Sequence, residues 1–407
     1  MKKTVAFLLT FCMTMSLAAC GGEKPTESPA EEKQTAEVLS LQKSLQNKYE
    51  WEDDTLLVQS EHSYVTLRDG ENYPEMAETL NQLSVMQKRS MEDEFDNFCS
   101  MAREEMKTYV STLDVQVRRA DSIVVSLLSD SYSDYGQIEN YRVFHGSNYD
   151  TQTGRALMLN EVVNVNNDLA LAVQEELTGH MWTGEFYSED TVEDYFANTP
   201  YDSFHWTLDY TGVTFYFAPG ELCDGGAMTA TVSFAQYPEL FNEKYMEVPE
   251  SYTVELPLDI SFFTNLDGDD ALEGVSLSGW YDEERNHYLD CGIFTDTDAG
   301  YHYEECYVYD FHPYYVRAES GHYLYLFCED FEEGWRQMNL IVFSLNGDGS
   351  VTKSSQINVS PSWLADNRFL VPTDPGCLLL DDPDHSTVKT EFSVGDDGMP
   401  YQCIPDR

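Results

Sequence analysis

Residues 74–110 read PEMAETLNQLSVMQKRSMEDEFDNFCSMAREEMKTYV, and this stretch decides the fold class. Its apolar side chains recur every three to four positions, at Met76, Leu80, Leu83, Met91, Phe95, Phe98, Ala102, Met106 and Tyr109. That spacing places them along one face of an α-helix. We therefore predict one long amphipathic helix, or two in line, whose methionine-rich stripe packs into a core.

Segments with a period of two residues surround this helix. Thr55–Leu67 and the apolar positions between Val115 and Leu127 alternate as in β-strands. A second helix is predicted over Asp168–Leu177, with its N-cap at Asn166, Asn167 or Asp168. Later strands are predicted at Trp206–Leu208, Val213–Phe217 and Met228–Phe234. Because helices and strands do not alternate strictly, the predicted class is α+β, with the long helix packed on a mixed or antiparallel sheet.

The helical period ends after Pro249. Short strands separated by Asp, Gly and Asn turns follow, at Leu289–Phe294, Tyr301–Phe311, Tyr323–Phe327 and Asn339–Ser344. We therefore predict an α+β domain over residues 51–250 and a mainly antiparallel β domain over residues 251–407. Alternate positions in two of these strands are aromatic, and that face is expected to pack against a second sheet; the alternative is an exposed platform for sugar rings or peptides.

The N-terminus carries an export signal. Lys2 and Lys3 precede an apolar run, Val5–Leu17, that ends in Ala18-Ala19-Cys20. The segment resembles a bacterial lipoprotein signal, and its apolar run is shorter than the roughly 20 residues that span a bilayer. The resemblance implies a signal peptide over residues 1–19, lipid on Cys20 and a place on the outer face of the bacterial cell membrane. Residues 20–50 are predicted to be the lipidated cysteine and a polar tether.

Charge narrows the range of partners. The formal net charge is −50 at pH 7. Such an excess of carboxylates repels nucleic acid and anionic lipid, and it attracts cationic proteins. Solubility is the alternative explanation for the acidic surface. We predict no nucleic-acid partner, and membrane contact through the lipid anchor only.

Seven cysteines follow Cys20, so at least one thiol is left over or bonds to another chain. If one hairpin turns at Asp296–Gly300 and the next near Val316, three of them line up across adjacent strands. Cys291 then lies opposite Cys306, which lies opposite or diagonal to Cys328. These three cysteines are the disulfide candidates.

A loop rich in oxygen donors is the best metal candidate. Asn265, Asp267, Asp269 and Glu273 surround Gly268 in a pattern similar to calcium-binding loops of secreted repeat domains. The alternative is an Asp/Gly turn before a strand. Ca²⁺ is the one cofactor considered, because the nearby histidines and cysteines match no closed tetrahedral spacing.

Two segments resemble a known family. Tyr141–Asp150 (YRVFHGSNYD), with Thr153-Gly154-Arg155 and Leu157–Glu161 (LMLNE), resembles a conserved stretch in the extracellular domain of RsiV-type anti-sigma factors. Gly212–Pro219 (GVTFYFAP), followed by Gly225 or Gly226 and Val232-Ser-Phe, is similar to a later motif of the same family. The resemblance implies a binding domain outside the membrane, found in lysozyme sensors and attached to peptidoglycan deacetylases. It implies a cationic protein such as lysozyme as the partner.

The same residues also have a structural interpretation. We expect Tyr149 and Leu157 to face a core, and Asp150–Gly154 to form a turn. The family's segment before Asn148 is reduced here to His145-Gly146, and a cytosolic sigma-binding segment is absent from the sequence. Sigma-factor regulation is therefore not predicted.

Motifs of catalysis are missing from the sequence. It contains no zincin pair of histidines and no Gly-x-Ser-x-Gly elbow, and Ser40–Lys43 fits Ser-x-x-Lys without a Lys-Thr-Gly partner. We predict a cell-surface lipoprotein that is a non-enzymatic, extracytoplasmic binding protein. The alternatives are a cell-wall (peptidoglycan) enzyme accessory or modifying protein and a structural envelope protein.

Overall fold

The long apolar repeat forms one helix, α1 (Pro74–Glu105), in a computed structural model of the chain. Proline suits the first helical position because its missing N–H has no partner there. The predicted stripe is buried, with Met76, Met91 and Ala102 fully enclosed. The helix ends before the predicted limit, because Tyr109 pairs with Val58 in a sheet instead of extending the stripe.

The structure describes residues 36–68, 70–105, 107–134, 141–179, 189–200, 203–222, 227–282, 287–296, 301–332, 335–359, 368–375, 378–380, 390–395 and 397–402. The predicted signal peptide, Cys20 and the first part of the tether lie outside the described residues. No described helix is both long and apolar enough to cross a membrane.

α1 packs on a mixed sheet. Its first five strands are β1 (Leu41–Glu52), β2 (Thr55–Leu67), β3 (Tyr109–Ala120), β4 (Val124–Asp134) and β5 (Tyr141–Asp150). They lie side by side in chain order. β2 and β3 are parallel because α1 connects them, and the other neighbours are antiparallel.

The predicted tether is too long at its C-terminal end. Ala36, Leu39 and Leu41 are all less than 9% exposed and belong to the fold. β1 was not predicted because its alternating positions include Lys43, which is polar in sequence yet 2% exposed in the structure. Residues 36–50 are therefore folded, and not tether.

A smaller layer follows the mixed sheet. It contains the helices α2 (Leu159–Val162), α3 (Asn167–Gly179) and α4 (Glu189–Asn198) and the antiparallel strands β6 (Trp206–Leu208), β7 (Gly212–Phe217) and β8 (Met228–Ser233). Two 3₁₀ turns, Pro238–Leu240 and Glu243–Met246, close the layer. The predicted cap of α3 is confirmed, because Asn166 Oδ1 accepts from the Leu169 N–H at 3.1 Å.

The rest of the described chain is β-structure. The large antiparallel sheet contains β9 (Tyr252–Glu255), β10 (Phe262–Thr264), β11 (Glu273–Asp282), β12 (His287–Thr295), β13 (Tyr301–Ala318), β14 (Gly321–Glu332), β15 (Trp335–Leu345) and β16 (Val351–Val359). β17 (Arg368–Val371) returns to pair with β1. A separate three-stranded sheet contains β18 (Leu378–Leu380), β19 (Thr390–Val394) and β20 (Pro400–Gln402). The architecture is compatible with the predicted α+β class and is rich in strands.

The two large sheets share a core. Tyr325 and Phe327 of β14 belong to the same buried cluster as Val117 and Leu127 of the mixed sheet. The expectation that the aromatic face packs against a second sheet is thus confirmed for this strand. Because residues on both sides of residue 250 build this cluster, the predicted boundary does not separate two independent cores.

The register predicted for the cysteines is wrong. Cys291 lies opposite Tyr303, and Cys328 lies opposite Phe311. Cys306 lies on β13 between those two partners, so neither predicted alignment forms. The second misalignment follows from the length of β13, which continues past Val316 to Ala318 before the chain turns into β14. The first arises in the β12–β13 pair, where the partner of Cys291 lies three positions before Cys306.

Candidate functional site

The residues that resemble the RsiV-type motif build a junction between layers. Asn148 Oδ1 accepts from Ser126 Oγ at 2.6 Å and from the Leu208 N–H at 3.0 Å. Its Nδ2 donates to the Trp206 carbonyl at 3.0 Å. Asn148 is 4% exposed, and these three hydrogen bonds join β4, β5 and β6. Its role in this structure is architectural.

The turn after β5 is equally structural. Asp150 Oδ1 accepts from the N–H and hydroxyl of Thr153 at 3.0 and 2.9 Å, and Lys244 Nζ lies 2.5 Å from Oδ2. Gly154 has φ +64°, and a Cβ there would lie 2.5 Å from the Glu75 carbonyl of α1. Glycine is required for both reasons. The predicted turn and the burial of Tyr149 and Leu157 are confirmed.

Three of the four predicted calcium ligands come together. Asp267, Asp269 and Glu273 each place a carboxylate oxygen within 4.8 Å of the others. Asn265, the fourth predicted ligand, lies in the same loop, and its Oδ1 accepts from the Gly268 N–H. The loop also has the hydrogen bonds of an ordinary Asp/Gly turn. Asp267 and Asp269 each accept from the backbone N–H two residues later at 3.0 Å. Both interpretations of the sequence therefore fit the geometry.

The calcium hypothesis makes a testable prediction. Burial, then Asp267 and Asp269, raise the pKa of Glu273 above its usual value. A proton on Glu273 therefore stabilises the fold as pH falls through that raised pKa, and the benefit is lost at higher pH. Since Ca²⁺ needs the ionised carboxylates, we expect its stabilisation to grow with pH, reaching about 2.7 kcal/mol at a hundredfold excess over Kd.

Thermal unfolding with CaCl₂, MgCl₂ or EDTA measures this effect. Asp269→Asn should remove it, whereas Asp348→Asn is the matched control, because Asp348 caps another exposed Asp/Gly turn outside the cluster. If CaCl₂ raises the unfolding temperature of Asp269→Asn as much as that of the parent protein, the loop does not bind Ca²⁺ through Asp269. The Asp/Gly turn would then be the explanation of this loop.

Ser111 and His62 form a hydrogen bond without forming a nucleophilic site. His62 Nε2 lies 3.2 Å from Ser111 Oγ, which donates to Glu94 Oε2 at 2.8 Å. Glu94 thus contacts the hydroxyl and does not orient the imidazole, unlike the third member of a triad. Burial lowers the pKa of His62 to about 4, and Ser111 is 3% exposed. The arrangement offers neither a base near neutral pH nor an accessible hydroxyl.

Ion pairs around a buried lysine join the layers, and sequence reasoning missed them. Lys43 Nζ contacts Asp114 Oδ1 at 3.0 Å and also contacts Glu255. Burial lowers the pKa of Lys43, but the two carboxylates outweigh it and raise that pKa above its usual value. Because β1, β3 and β9 each supply one partner, no short sequence window contains this cluster. Because Lys43 is ion-paired in these contacts, it is not available as a general base for Ser40 in the Ser-x-x-Lys match.

Carboxylates from both large sheets converge on one surface. Asp114 of β3 has a side chain 48% exposed, and Asp310 of β13 has a side chain 54% exposed. Asp259, in the loop between β9 and β10, is also exposed. The pKa of Asp130 is raised by burial and further by Asp114 and Asp259, although Arg142 opposes the shift. Asp114 and Asp259 are therefore close enough to act on one carboxyl.

Aromatic rings continue this surface. Tyr281 and Tyr288 lie across β11 and β12, with ring centroids 5.0 Å apart. Burial raises the pKa of Tyr288, as do Asp310, Asp259 and Tyr281. We call Asp114, Asp259, Asp310, Tyr281 and Tyr288 the acidic-aromatic surface. The residues of this surface are scattered along the chain, so no short motif identifies it. The net negative charge is the sequence feature that points to an acidic surface.

Arg142 connects the two sides of this surface. Its guanidinium contacts Asp130 Oδ2 at 2.6 Å and donates to the Leu258 carbonyl at 3.1 Å. The mixed sheet and the loop before β10 are thereby joined at the edge of the acidic-aromatic surface. The fixed position of these elements means that a partner would meet a preformed arrangement of charges.

Two solved structures are similar to part of this chain. One is a DUF3298 family protein from Pseudomonas aeruginosa PAO1, with a TM-score of 0.37 and 14% identity over 53% of this chain and 97% of that protein. The other is a DUF3298 family member from Bacteroides fragilis, with a TM-score of 0.39 and 12% identity over 51% of this chain and 96% of that protein. No protein-family model and no curated protein matches the chain.

Proposed function

We propose that this protein is a non-enzymatic cell-surface lipoprotein that binds a cationic protein, with lysozyme as the first ligand to test. The acidic-aromatic surface is the observation that carries the proposal. It combines accessible carboxylates on two sheets with neighbouring aromatic rings. Lysozyme is named because Asn148–Glu161 and Gly212–Val232 resemble the RsiV-type domain. Those motif residues have structural roles in this protein. They therefore support an RsiV-like binding domain, but they do not identify the residues that would contact lysozyme.

Charge and aromatic rings would contribute differently to binding. Exposed carboxylates accelerate encounter with a basic protein, and salt weakens this effect. Affinity that survives high salt needs a desolvated centre with a few aromatic or apolar anchors. On the acidic-aromatic surface, Asp259 and Asp310 would supply the first effect and Tyr281 the second, because its side chain is 40% exposed.

The test compares lysozyme with cytochrome c, a basic protein of similar size. Association and dissociation rates would be measured from about 0.15 M salt, where the Debye length is about 8 Å, to 1 M, where it is about 3 Å. We expect both proteins to associate fast at low salt, and lysozyme alone to stay bound at high salt. Equal affinity for the two proteins at every salt concentration would contradict the proposal.

Two variants assign the effect to the surface. Asp259→Asn with Asp310→Asn should slow association several-fold, because it removes two steering charges. Asparagine suits position 259, where φ is +62°. The matched control is Asp93→Asn with Asp96→Asn, two exposed carboxylates on α1. Tyr281→Ala should instead speed dissociation. If the α1 control slows association as much as the surface pair, net charge alone explains binding.

A further inference from the structure

A cleft of about 400 Å³ contains a guanidinium outside the acidic-aromatic surface. Four parts of the fold line it: β9 at Tyr252, the turn before β7 at Thr211, the end of β10 with the residues that follow it, and the β13–β14 hairpin with Arg317 and His322. Its volume lies within the range of sites that hold small molecules. None of these residues belongs to the acidic-aromatic surface, so the cleft is independent of it, although it shares Asn265 and Asp267 with the candidate calcium loop.

A hydrogen-bonded chain holds Arg317 in place. Its Nη1 donates to His322 Nε2, and His322 Nδ1 lies 2.6 Å from the Tyr315 hydroxyl. Thr264 Oγ1 donates to the same hydroxyl at 3.0 Å. Burial and Arg317 lower the pKa of His322 to about 4, so the imidazole is neutral and accepts from the guanidinium at neutral pH. One edge of the guanidinium is thus fixed by the protein.

Arg317 differs from the other enclosed arginines in its partners. Arg118, Arg119 and Arg142 each contact a carboxylate at 2.6–2.8 Å. Within the described parts of the chain, no carboxylate forms an ion pair with Arg317. A fixed guanidinium presents parallel N–H donors that match the two oxygens of a carboxylate. Arg317 therefore has N–H donors that the carboxylate of a ligand can accept.

The same cleft also offers a negative charge. Asp267 and Asn265 line it together with Arg317. A simple anion would gain from Arg317 but would be repelled by Asp267, whereas a ligand that carries both charges satisfies both groups. We propose that this cleft binds a small zwitterion, an amino acid or a short peptide, with its carboxylate on Arg317 and its ammonium group toward Asp267.

Titration of the purified full chain with glycylglycine in EDTA tests this proposal. Acetate and ethylammonium carry one charge each and serve as ligand controls. We expect saturable calorimetric binding of glycylglycine, and at least about tenfold weaker binding of either single-charge probe. Arg317→Gln and Asp267→Asn should each weaken glycylglycine binding about tenfold, with Arg317→Lys intermediate because it lacks the fork. Thermal unfolding would verify that each variant is folded.

Lys353→Gln removes a partly exposed cation that does not line the cleft and is the matched control. It should bind glycylglycine like the parent protein. Absence of saturable binding, or equal binding by Arg317→Gln, would overturn the proposal. Acetate that binds as tightly as glycylglycine would overturn the zwitterion assignment. Loss of lysozyme binding in the Asp259 and Asp310 variant has no bearing on these outcomes, because the two sites share no residue.

Discussion

Replacing Arg118 by methionine is expected to lower the free energy of unfolding by about 3–5 kcal/mol, because it leaves a buried carboxylate without its counter-charge. Arg118 and Asp209 are each 1% exposed. Arg118 Nη2 lies 2.8 Å from Asp209 Oδ2, and Nη1 donates to the Glu255 carbonyl at 3.0 Å. Burial lowers the pKa of Arg118, but Asp209 together with Tyr216 and Glu255 outweighs this effect and raises it. The pair fastens β3 to the turn after β6.

Denaturant unfolding measures the effect. In the variant, Asp209 keeps the Thr207 and Thr214 hydroxyl donors but loses its cation, so a buried carboxylate is left without a counter-charge. Arg118→Met combined with Asp209→Leu should recover part of the loss, because no charge remains buried.

Arg155→Met is the matched control. Arg155 contacts Glu161 at 2.8 Å with side chains 56% and 36% exposed. Solvent screens such a pair, so we expect little change in stability. If Arg118→Met is tolerated as well as Arg155→Met, the buried pair does not hold these layers together.

Replacing Cys20 by alanine is expected to abolish membrane association. The acyl chains implied by the lipoprotein-like signal are the one strong source of membrane affinity in this interpretation, and two or more chains are needed for stable anchoring. Without the thiol, the precursor should stay unprocessed or the protein should leave the membrane fraction. The expected change is close to all-or-none.

Cell fractionation with labelled palmitate measures the loss. Cys12→Ala is the matched control, because Cys12 lies within the apolar run and precedes the expected cleavage site. That variant should be labelled and anchored normally. A Cys20→Ala protein that is mature and still membrane-bound would rule out anchoring through this cysteine.

Local patterns predicted much of the secondary structure. The three-to-four-residue repeat identified α1, because a helix buries one face at that period whatever it packs against. The N-cap Asn166 was among the predicted residues, because capping is a contact between neighbours in sequence. Alternation located β2, β6, β7 and β8 for the same reason.

Local patterns did not predict features that depend on pairing between distant segments of the chain. β1 contains the buried Lys43, whose charge is tolerated because Asp114 and Glu255 arrive from distant strands. The predicted alignment of Cys306 with Cys328 is wrong because the position of a turn sets every pairing in its hairpin, and β13 turns into β14 about two residues later than expected. The carboxylates of the acidic-aromatic surface, Asp114, Asp259 and Asp310, are far apart in sequence. The same is true of Arg317 and Asp267 in the cleft. The sequence therefore predicted neither the acidic-aromatic surface nor the cleft.

The sequence by itself determined the α+β class, the long helix, the Asp/Gly loop at 265–273 and the acidic character of the protein, because each depends on local spacing or on composition. The tertiary structure alone decided that residues on both sides of position 250 share one core, since β17 pairs with β1 and the aromatic face of β14 packs with the mixed sheet. It also decided which carboxylates are accessible and which neutralise buried cations. Burial and the dielectric environment, which depend on neighbours from distant segments, set that difference.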